Sequence, residues 1–536
     1  MKPIPLNIKN VFIKRVLADE TCNLFERKFA ELKSGIIAGT LFACLSYGLT
    51  PAASAQSATA TTALNDFNSA YLITSGSSAY YKAALNSTTP DGTWAASLDI
   101  QGEEDAFEVS GNPAQQTLVN NLCATWLVNT PPPWSWDGYN DDIGWFTITL
   151  ARGYQMTGTA NFLTQAEYGF NFAFGRGWDT TYDGGGIWEE QPANDSGAPE
   201  KTALANDSLG KTACLLYQST GNVTYLNDAE QIYAWVWHHI YNPSTGEVYA
   251  GIWTNGVVDT GTAVYNQGTF IDFANLLYEC GAGSTYLNDA QMAIQFTQNN
   301  LTDGGILNNS ASYLNTWADE FARGIGHVCG YTPSLWSTYY PFMQANANAA
   351  WSNRRTDYNI TWNAWAQATP ETAGMIPNWC VSAVAMQQFT PAAQPPTIVG
   401  THAIINKFSR LALDDPGFST ANGTDMDQWG YNGGANQKWT ISQNSDGTYT
   451  ILNEYSGLAL EDPGFGTANG TKVDQWGSNG GANQHWTITP NQDGSYTILN
   501  KYSGLALEDA GFSTANGTDM DQWGSNNGAN QRWIFQ

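Results

Sequence analysis

Between residues 134 and 146 the chain reads Trp134-Ser135-Trp136-Asp137-Gly138-Tyr139-Asn140-Asp141-Asp142-Ile143-Gly144-Trp145-Phe146. Two adjacent carboxyl groups, Asp141 and Asp142, stand among indoles and a phenol. These residue types suit cleavage of a glycosidic bond. One carboxyl protonates the departing oxygen, the other attacks or stabilises the anomeric carbon, and flat rings such as Trp136, Tyr139 and Trp145 hold sugars by their C–H faces. The same letters also read as a helix start, because an Asx oxygen caps free N–H groups and first-turn acids offset the helix dipole. Both readings can hold together. A helix N-terminus would lower the pKa of an attacking carboxylate, and its charge would raise that of its neighbour, dividing the pair into base and acid.

Such a pair must be carried by a scaffold, and the flanking sequence suggests one. From about Ala60 to Phe389 apolar positions recur at helical spacing, as in Leu209, Cys214, Leu215, Leu216 and Tyr217. Tyr154-Gln155-Met156-Thr157-Gly158 corresponds to Tyr217-Gln218-Ser219-Thr220-Gly221 and loosely to Tyr278-Glu279-Cys280-Gly281, with the tyrosines 63 and 61 residues apart. Each unit reads as a helical hairpin with a Gly-bearing turn. Some six such units can close into an (α/α)6 toroid; an open solenoid is the alternative. In a toroid the starts of the inner helices share one mouth, so Asp141-Asp142 should face Asn206-Asp207 and Asn266-Gln267. Trp188 with Glu189 and Glu190, and Trp317 with Asp319, Glu320 and Arg323, are further candidates for that mouth, each competing with a plain capping role.

Composition bounds the partners. The 536 residues call for at least two domains, and a net charge of −27 argues against nucleic acid and anionic membrane surfaces while suiting a neutral polymer. Basic residues up to Lys33 precede an apolar run from Ile36 to Leu49 and the small residues Pro51-Ala52-Ala53-Ser54-Ala55. Residues 1–55 therefore read as a signal peptide with a long basic leader, and the mature chain as secreted, extracellular or periplasmic, without a membrane segment. An uncleaved anchor is the competing reading. Cys123, Cys214, Cys280, Cys329 and Cys380 are widely spaced, with no zinc pattern and no derivable disulfide framework.

After the helical segment, expected to span 56–390, Pro391, Pro395 and Pro396 mark a stiff linker over 391–400. The remainder, 401–536, is three copies of one unit at a period of 47: Leu411-Ala412-Leu413-Asp414, Leu458-Ala459-Leu460-Glu461 and Leu505-Ala506-Leu507-Glu508, with Gln437-Lys438-Trp439, Gln484-His485-Trp486 and Gln531-Arg532-Trp533 in step. Short β-prone runs such as Tyr449-Thr450-Ile451-Leu452 between Asn-Gly and Asp-Gly turns exclude helices. Three units cannot close a propeller but can close a β-trefoil, with repeats 401–447, 448–494 and 495–536. The expected fold class is thus an all-α (α/α)6 toroid followed by an all-β trefoil.

The Gln-x-Trp repeats resemble the ricin-type β-trefoil, a family of sugar-binding modules. The resemblance implies one sugar site per lobe: Asp414, Asp427, Trp429, Asn436 and Gln437; Glu461, Asp474, Trp476, Asn483 and Gln484; and Glu508, Asp521, Trp523, Asn530 and Gln531. A trefoil kept only for folding is the alternative. Asn140-Asp141-Asp142-Ile143-Gly144-Trp145-Phe146, Gly185-Gly186-Ile187-Trp188 and Tyr265-Asn266-Gln267-Gly268 together resemble glycoside hydrolase family 76, bacterial endo-α-1,6-mannanases. That resemblance implies a retaining enzyme acting on α-mannan, with Asp141 as nucleophile and Asp142 as general acid/base. It implies neither metal nor organic cofactor, and a monomer is expected. A non-catalytic polysaccharide-binding protein and a transglycosylase using the same pair are the competing functions.

Overall fold

A computed structural model describes residues 58–191, 199–307, 317–371, 375–394, 398–444, 446–491, 495–526 and 528–536. The expected leader, 1–55, lies outside the described residues. Among them, the helical half comprises α1 (Ala58–Tyr71), α2 (Thr93–Ser110), α3 (Pro113–Asn129), α4 (Asn140–Thr157), α5 (Ala160–Gly177), α6 (Ala203–Thr220), α7 (Val223–His239), α8 (Val264–Glu279), α9 (Ser284–Asn300), α10 (Ala318–Tyr331), α11 (Trp336–Ser352) and α12 (Pro377–Phe389). The even-numbered helices each pack on the next, and α12 returns to α2, so they close a ring; the odd-numbered helices lie against it from outside. The result is a helical toroid.

Burial follows from that placement. Inner α4 buries every residue from Ile143 to Gly153, being covered on both flanks and behind, whereas outer α5 buries one stripe, Phe162, Ala166, Gly169, Phe170 and Ala173. Small residues set the inner spacing. A Cβ on Gly144 would fall 2.1 Å from Ser208 Oγ, and one on Gly268 would fall 2.3 Å from the Phe321 backbone nitrogen. The repeated Tyr-Gln-x-Thr-Gly also finds its cause here: α4 and α6 end on Gly158 and Gly221 at φ 70° and 68°, whose N–H groups donate to the carbonyls of Tyr154 and Tyr217.

Charged side chains cross the ring interior. Arg323 of α10 donates to Asp105 of α2 through Nε (2.8 Å) and Nη2 (2.9 Å), and Arg152 of α4 reaches Asp105 at 2.7 Å and Glu108 at 2.8 Å. Lys211 of α6 pairs with Asp272 of α8 at 2.8 Å and with Glu320. His327 spans Asp272 and Glu108. Five inner helices are tied by these buried charges, and α12 joins through Ser382, which donates to Asp319 beside Arg323. Among the described residues, Cys123, Cys214, Cys280, Cys329 and Cys380 are free.

The strand half closes on itself. Gly400–Asn406 pairs with Lys438–Gln443, which pairs with Tyr449–Asn453, then Trp486–Pro490, Tyr496–Asn500 and Trp533–Phe535, which returns to Gly400–Asn406. Three hairpins cap this barrel at the 47-residue period. The repeated Trp439, Trp486 and Trp533 are fully buried, and their Nε1 groups donate to the carbonyls of Leu413, Leu460 and Leu507 at 3.0, 2.9 and 3.0 Å. Cross-lobe bonds lock the three copies: Gln428 donates to Asp509, Gln475 to Asp415 and Gln522 to Asp462.

The two halves touch where the inner helices end. Ser334, just past α10, donates to Gln443 at 2.8 Å, and a Cβ on Gly447 would fall 2.5 Å from the Tyr278 hydroxyl at the end of α8. First turns of neighbouring inner helices lie side by side, as Gly144–Ser208 and Gly268–Phe321 show. The strand half therefore docks on the face opposite the first turns.

Candidate active site

The segment entering α4 is held from three directions. Arg176, in the last turn of α5, donates through Nη1 to the Asp137 carbonyl (2.7 Å), through Nη2 to the Tyr139 carbonyl (3.1 Å) and through Nε to Asn140 Oδ1 (2.6 Å). Asn140 Nδ2 donates to the Trp188 carbonyl at 2.7 Å, and the Asn140 N–H to the Glu189 carbonyl at 2.7 Å. The N-cap of α4 is Tyr139, without a side-chain cap bond, so the Asp pair rides in the first turn of a helix whose entry is fixed by other groups. Asp141 is buried, and its Oδ1 receives no hydrogen bond from the protein.

Electrostatics divide the site differently from the expected base and acid. Burial, then the charges of Asp137 and Glu189 and a hydrogen bond with Asp137, push Asp142 up to about 8. Burial, then Asp142 and Glu189, push Asp141 well above the usual carboxylate range, although first-turn N–H groups pull the other way. The expected lowering of Asp141 is thereby overturned: loss of water outweighs what the helix N-terminus returns. Asp137 completes the cluster, raised by its own burial and bonded to Asp142.

Other inner helices bring polar groups to the same end. Asp99 of α2 and Asp207 of α6 are fully buried, and neither oxygen of either accepts a hydrogen bond from a protein donor; the same holds for Oδ1 of Asn266 in α8 and of Asn378 in α12. Asp319 of α10 accepts from Ser382 at 3.2 Å and is pushed up to about 6 by burial against the pull of Arg323. Tyr265 is pushed up to about 12 by burial and by the charges of Glu189 and Asp141. Trp317 stands edge-on to Tyr265 at 4.9 Å and to Trp94 at 5.4 Å. Trp136 and Tyr139 are 56% and 44% exposed at the rim.

Five residues expected to contact sugar are buried and engaged within the protein. Asn206 is buried, with its amide bonded to both backbone groups of Ile187 and to the Thr202 carbonyl. Gln267 donates to the Val248 carbonyl and to Thr262, both at 3.2 Å, while its Oε1 receives no hydrogen bond from a protein donor. Arg323 is spent on Asp105 and Glu320 in the ring interior. Trp145 lies one turn deeper than the pair, inside the core. Trp188 is buried with the Lys201 ammonium 4.8 Å over its ring. Their contacts brace the elements around the mouth. Asp137, Asp99, Trp94 and Asn378 were not singled out from the sequence.

In the strand half each lobe opposes two acids across a hairpin: Asp414 and Asp427, Glu461 and Asp474, Glu508 and Asp521. Trp429, Trp476 and Trp523 are 45%, 42% and 42% exposed beside them. Gln437, Gln484 and Gln531, expected to touch sugar, are buried and corrected to braces: each accepts from a loop N–H (Asn432, Asn479, Asn526) and donates to a loop carbonyl (Gly430, Gly477, Gly524). Asn436 donates to Asp414, whereas Asn483 and Asn530 donate to Glu461 and Glu508, leaving Oδ1 of each asparagine without a protein donor.

The family profile of glycosyl hydrolase family 76 matches residues 55–398. The chain belongs to glycosyl hydrolase family 76. A second profile, ricin-type beta-trefoil lectin domain-like, matches 385–476 and 482–536 of this family-76 chain. A Schizosaccharomyces pombe protein whose name proposes a mannan endo-1,6-alpha-mannosidase is 23% identical over 313 residues, 52% of this chain and 68% of that protein. Mannan endo-1,6-alpha-mannosidase DFG5 of Saccharomyces cerevisiae is 34% identical over 104 residues, 18% of this chain and 22% of its own length. In fold, the family-76 toroid matches the alpha-1,6-mannanase GH76A of Salegentibacter sp. HEL1_6, solved as an inactive variant with two successive aspartates changed to alanine and bound to alpha-1,6-mannotetrose. The TM-score is 0.56 at 20% identity, covering 62% of this chain and 97% of that one.

Proposed function

We propose that this family-76 chain is a secreted, monomeric, retaining endo-glycosidase that hydrolyses alpha-1,6-mannosidic linkages within mannan and is held to polysaccharide by its lectin-like half. The observation that carries this reading is the first-turn pair, Asp141 beside Asp142, with Asp142 pushed up to about 8 and so still protonated at neutral pH. Under it, the helices form an (α/α)6 toroid over 56–390, joined through 391–400 to a β-trefoil over 401–536, with residues 1–55 directing export. The inactivity of the Salegentibacter double-aspartate variant supports a role for paired aspartates.

The Asp141 carboxylate attacks the anomeric carbon as the glycosidic bond breaks, and Asp142 gives its proton to the departing oxygen. Charge developing on the sugar favours the ionised form of Asp141, offsetting its burial. Water then attacks the same carbon, Asp142 takes its proton, and the sugar ester to Asp141 breaks, restoring both groups. Trp136, Tyr139 and Trp317 hold neighbouring sugars, while Asp207 and Asn266 accept from hydroxyls.

The test is incubation with alpha-1,6-mannan, reading new reducing ends and the anomer first released. Activity with retained configuration is expected, and it should vanish in Asp141→Ala and Asp142→Asn. Full activity in either variant would sink the assignment, an inverted first product would remove the retaining step, and products longer than the substrate would indicate transfer to a sugar acceptor.

A further inference from the structure

The three lobes share an arrangement that a neutral sugar does not require. Asp414 faces Asp427, Glu461 faces Asp474 and Glu508 faces Asp521 as direct cross-strand partners. Like charges so placed destabilise a hairpin, yet the pairing is kept at every lobe. Among the described residues, the causes acting on Asp427, Asp474 and Asp521 are burial and further acids, namely Asp414, Asp519 and Asp415; Glu461, Asp425 and Asp462; and Glu508 and Asp509, with a backbone hydrogen bond opposing them at Asp474. Oδ1 of Asp427, Asp474 and Asp521 and Oδ1 of Asn436, Asn483 and Asn530 receive no hydrogen bond from a protein donor, and of these residues only Asp521 is less than nine-tenths buried. The atoms of each lobe left without a protein donor are thus acceptors. Two residues along the same strand, and so on the same face, stands the half-exposed Trp429, Trp476 or Trp523.

We propose that the three lobes select sugars bearing a free amine: a protonated hexosamine, its ammonium between the paired carboxylates and its ring against the indole. This rests on reading the lobes as sugar sites and deepens it. An ammonium brings three donors to a set of acceptors, where a hydroxyl brings one, and it takes the place of the proton that opposed carboxyls otherwise share. The indole face adds attraction for the cation. The same region supplies its own precedent. At the equivalent positions 425, 472 and 519, Lys472 lies between Asp425 (2.9 Å) and Asp519 (2.8 Å), a built-in ammonium settling a pair of acids.

The test uses the full chain, freed of metal with a chelator, and calorimetric titration at pH 6 with a β-1,4-linked glucosamine disaccharide, its N-acetylated counterpart and cellobiose. The amine sugar should bind at least tenfold tighter than the other two. The triple variant Asp427→Asn, Asp474→Asn, Asp521→Asn should lose that preference, and Trp429→Ala, Trp476→Ala, Trp523→Ala should lose binding altogether. Because a chain of net charge −27 attracts any amine, the tryptophan variant, which keeps every charge, separates a site from general attraction; undiminished binding in it overturns the proposal. Equal affinity for the neutral sugars overturns the proposal while leaving a lectin. Binding of none of the three sugars overturns the proposal, and if mannan too fails to bind the tryptophan-bearing half, the lectin reading falls with it.

Discussion

The carboxyl groups of Asp137 and Asp142 hydrogen-bond to each other, which requires that one of them keep a proton. Burial is the larger cause of the rise of Asp142 to about 8, and the charges of Asp137 and Glu189 add to it. A proton donor tuned in this way is lost as pH passes through about 8, so kcat/KM should fall on that limb. Asp137→Asn removes one of the charges and the shared bond, and should move the limb toward acid by roughly one pH unit. A pH profile whose alkaline limb stays put in Asp137→Asn would place the donor elsewhere.

Arg323 makes the opposite kind of claim. Its guanidinium forks onto Asp105 across the ring and meets Glu320 on its own helix, all of it buried. Arg323→Ala removes one of two cations from each of two buried carboxylates, leaving Asp105 with Arg152 and Glu320 with Lys211, which should destabilise the fold by about 3 kcal/mol. The measurement is a denaturant midpoint alongside KM for a mannooligosaccharide. A large loss of stability with unchanged KM is expected, whereas unchanged stability with a raised KM would restore Arg323 as a sugar contact.

How much of this could be read from the chain depends on what each signal reports. The period-47 repeat names its own core, because Gln-x-Trp fixes the buried Trp439, Trp486 and Trp533 in one step. The Asp141-Asp142 stretch is visible because its aromatic company is local in sequence. Asp99 and Trp94 have no such signal. The inner helices begin at residues 93, 140, 203 and 264, so the first unit is far shorter than the 61- and 63-residue spacing of the later ones, and the repeat does not extend to it. Asn206, Gln267 and Arg323 show the converse. Residue type marks a group able to bind sugar, but only three-dimensional packing shows that Ile187 and Asp105 have already claimed Asn206 and Arg323, and that Val248 holds the amide nitrogen of Gln267. Nor does the sequence report the balance at Asp141, where burial defeats the helix N-terminus.

Acid should stabilise this protein down to a limit. Asp415 and Asp462 are pushed up to about 6, and Asp427, Asp474, Asp509 and Asp521 to about 7, each chiefly by burial. Raised carboxyl groups make the folded state bind more protons than the unfolded one between about pH 4 and 7, so stability falls as pH rises through that window. His327, which Glu108 and Asp272 raise to about 10 against its desolvation, adds stability that is likewise lost toward alkaline pH. Asp105 and Asp272, held low by their cations despite burial, and Asp446, at about 2, act with the opposite sign and fail in strong acid. Melting temperature should therefore peak near pH 5, roughly, and decline on both sides. A maximum at pH 8 would contradict the raised group of trefoil acids.

Docking of the strand half on the back of the ring rests on a close approach that only glycine permits. Gly447 sits at φ 81° with the Tyr278 hydroxyl 2.5 Å from where a Cβ would be, beside the Ser334–Gln443 bond. Gly447→Val adds both a clash with Tyr278 and backbone strain, because a β-branched residue rarely adopts that conformation. The two halves should then separate about the 391–400 segment without either unfolding, since each keeps its own core. Small-angle scattering should report a larger radius of gyration, and limited proteolysis faster cleavage between residues 390 and 400. Cleavage of short soluble mannooligosaccharides should be unchanged, because the mouth lies at the other end of the inner helices. An unaltered radius would show that the halves are held by contacts other than this one.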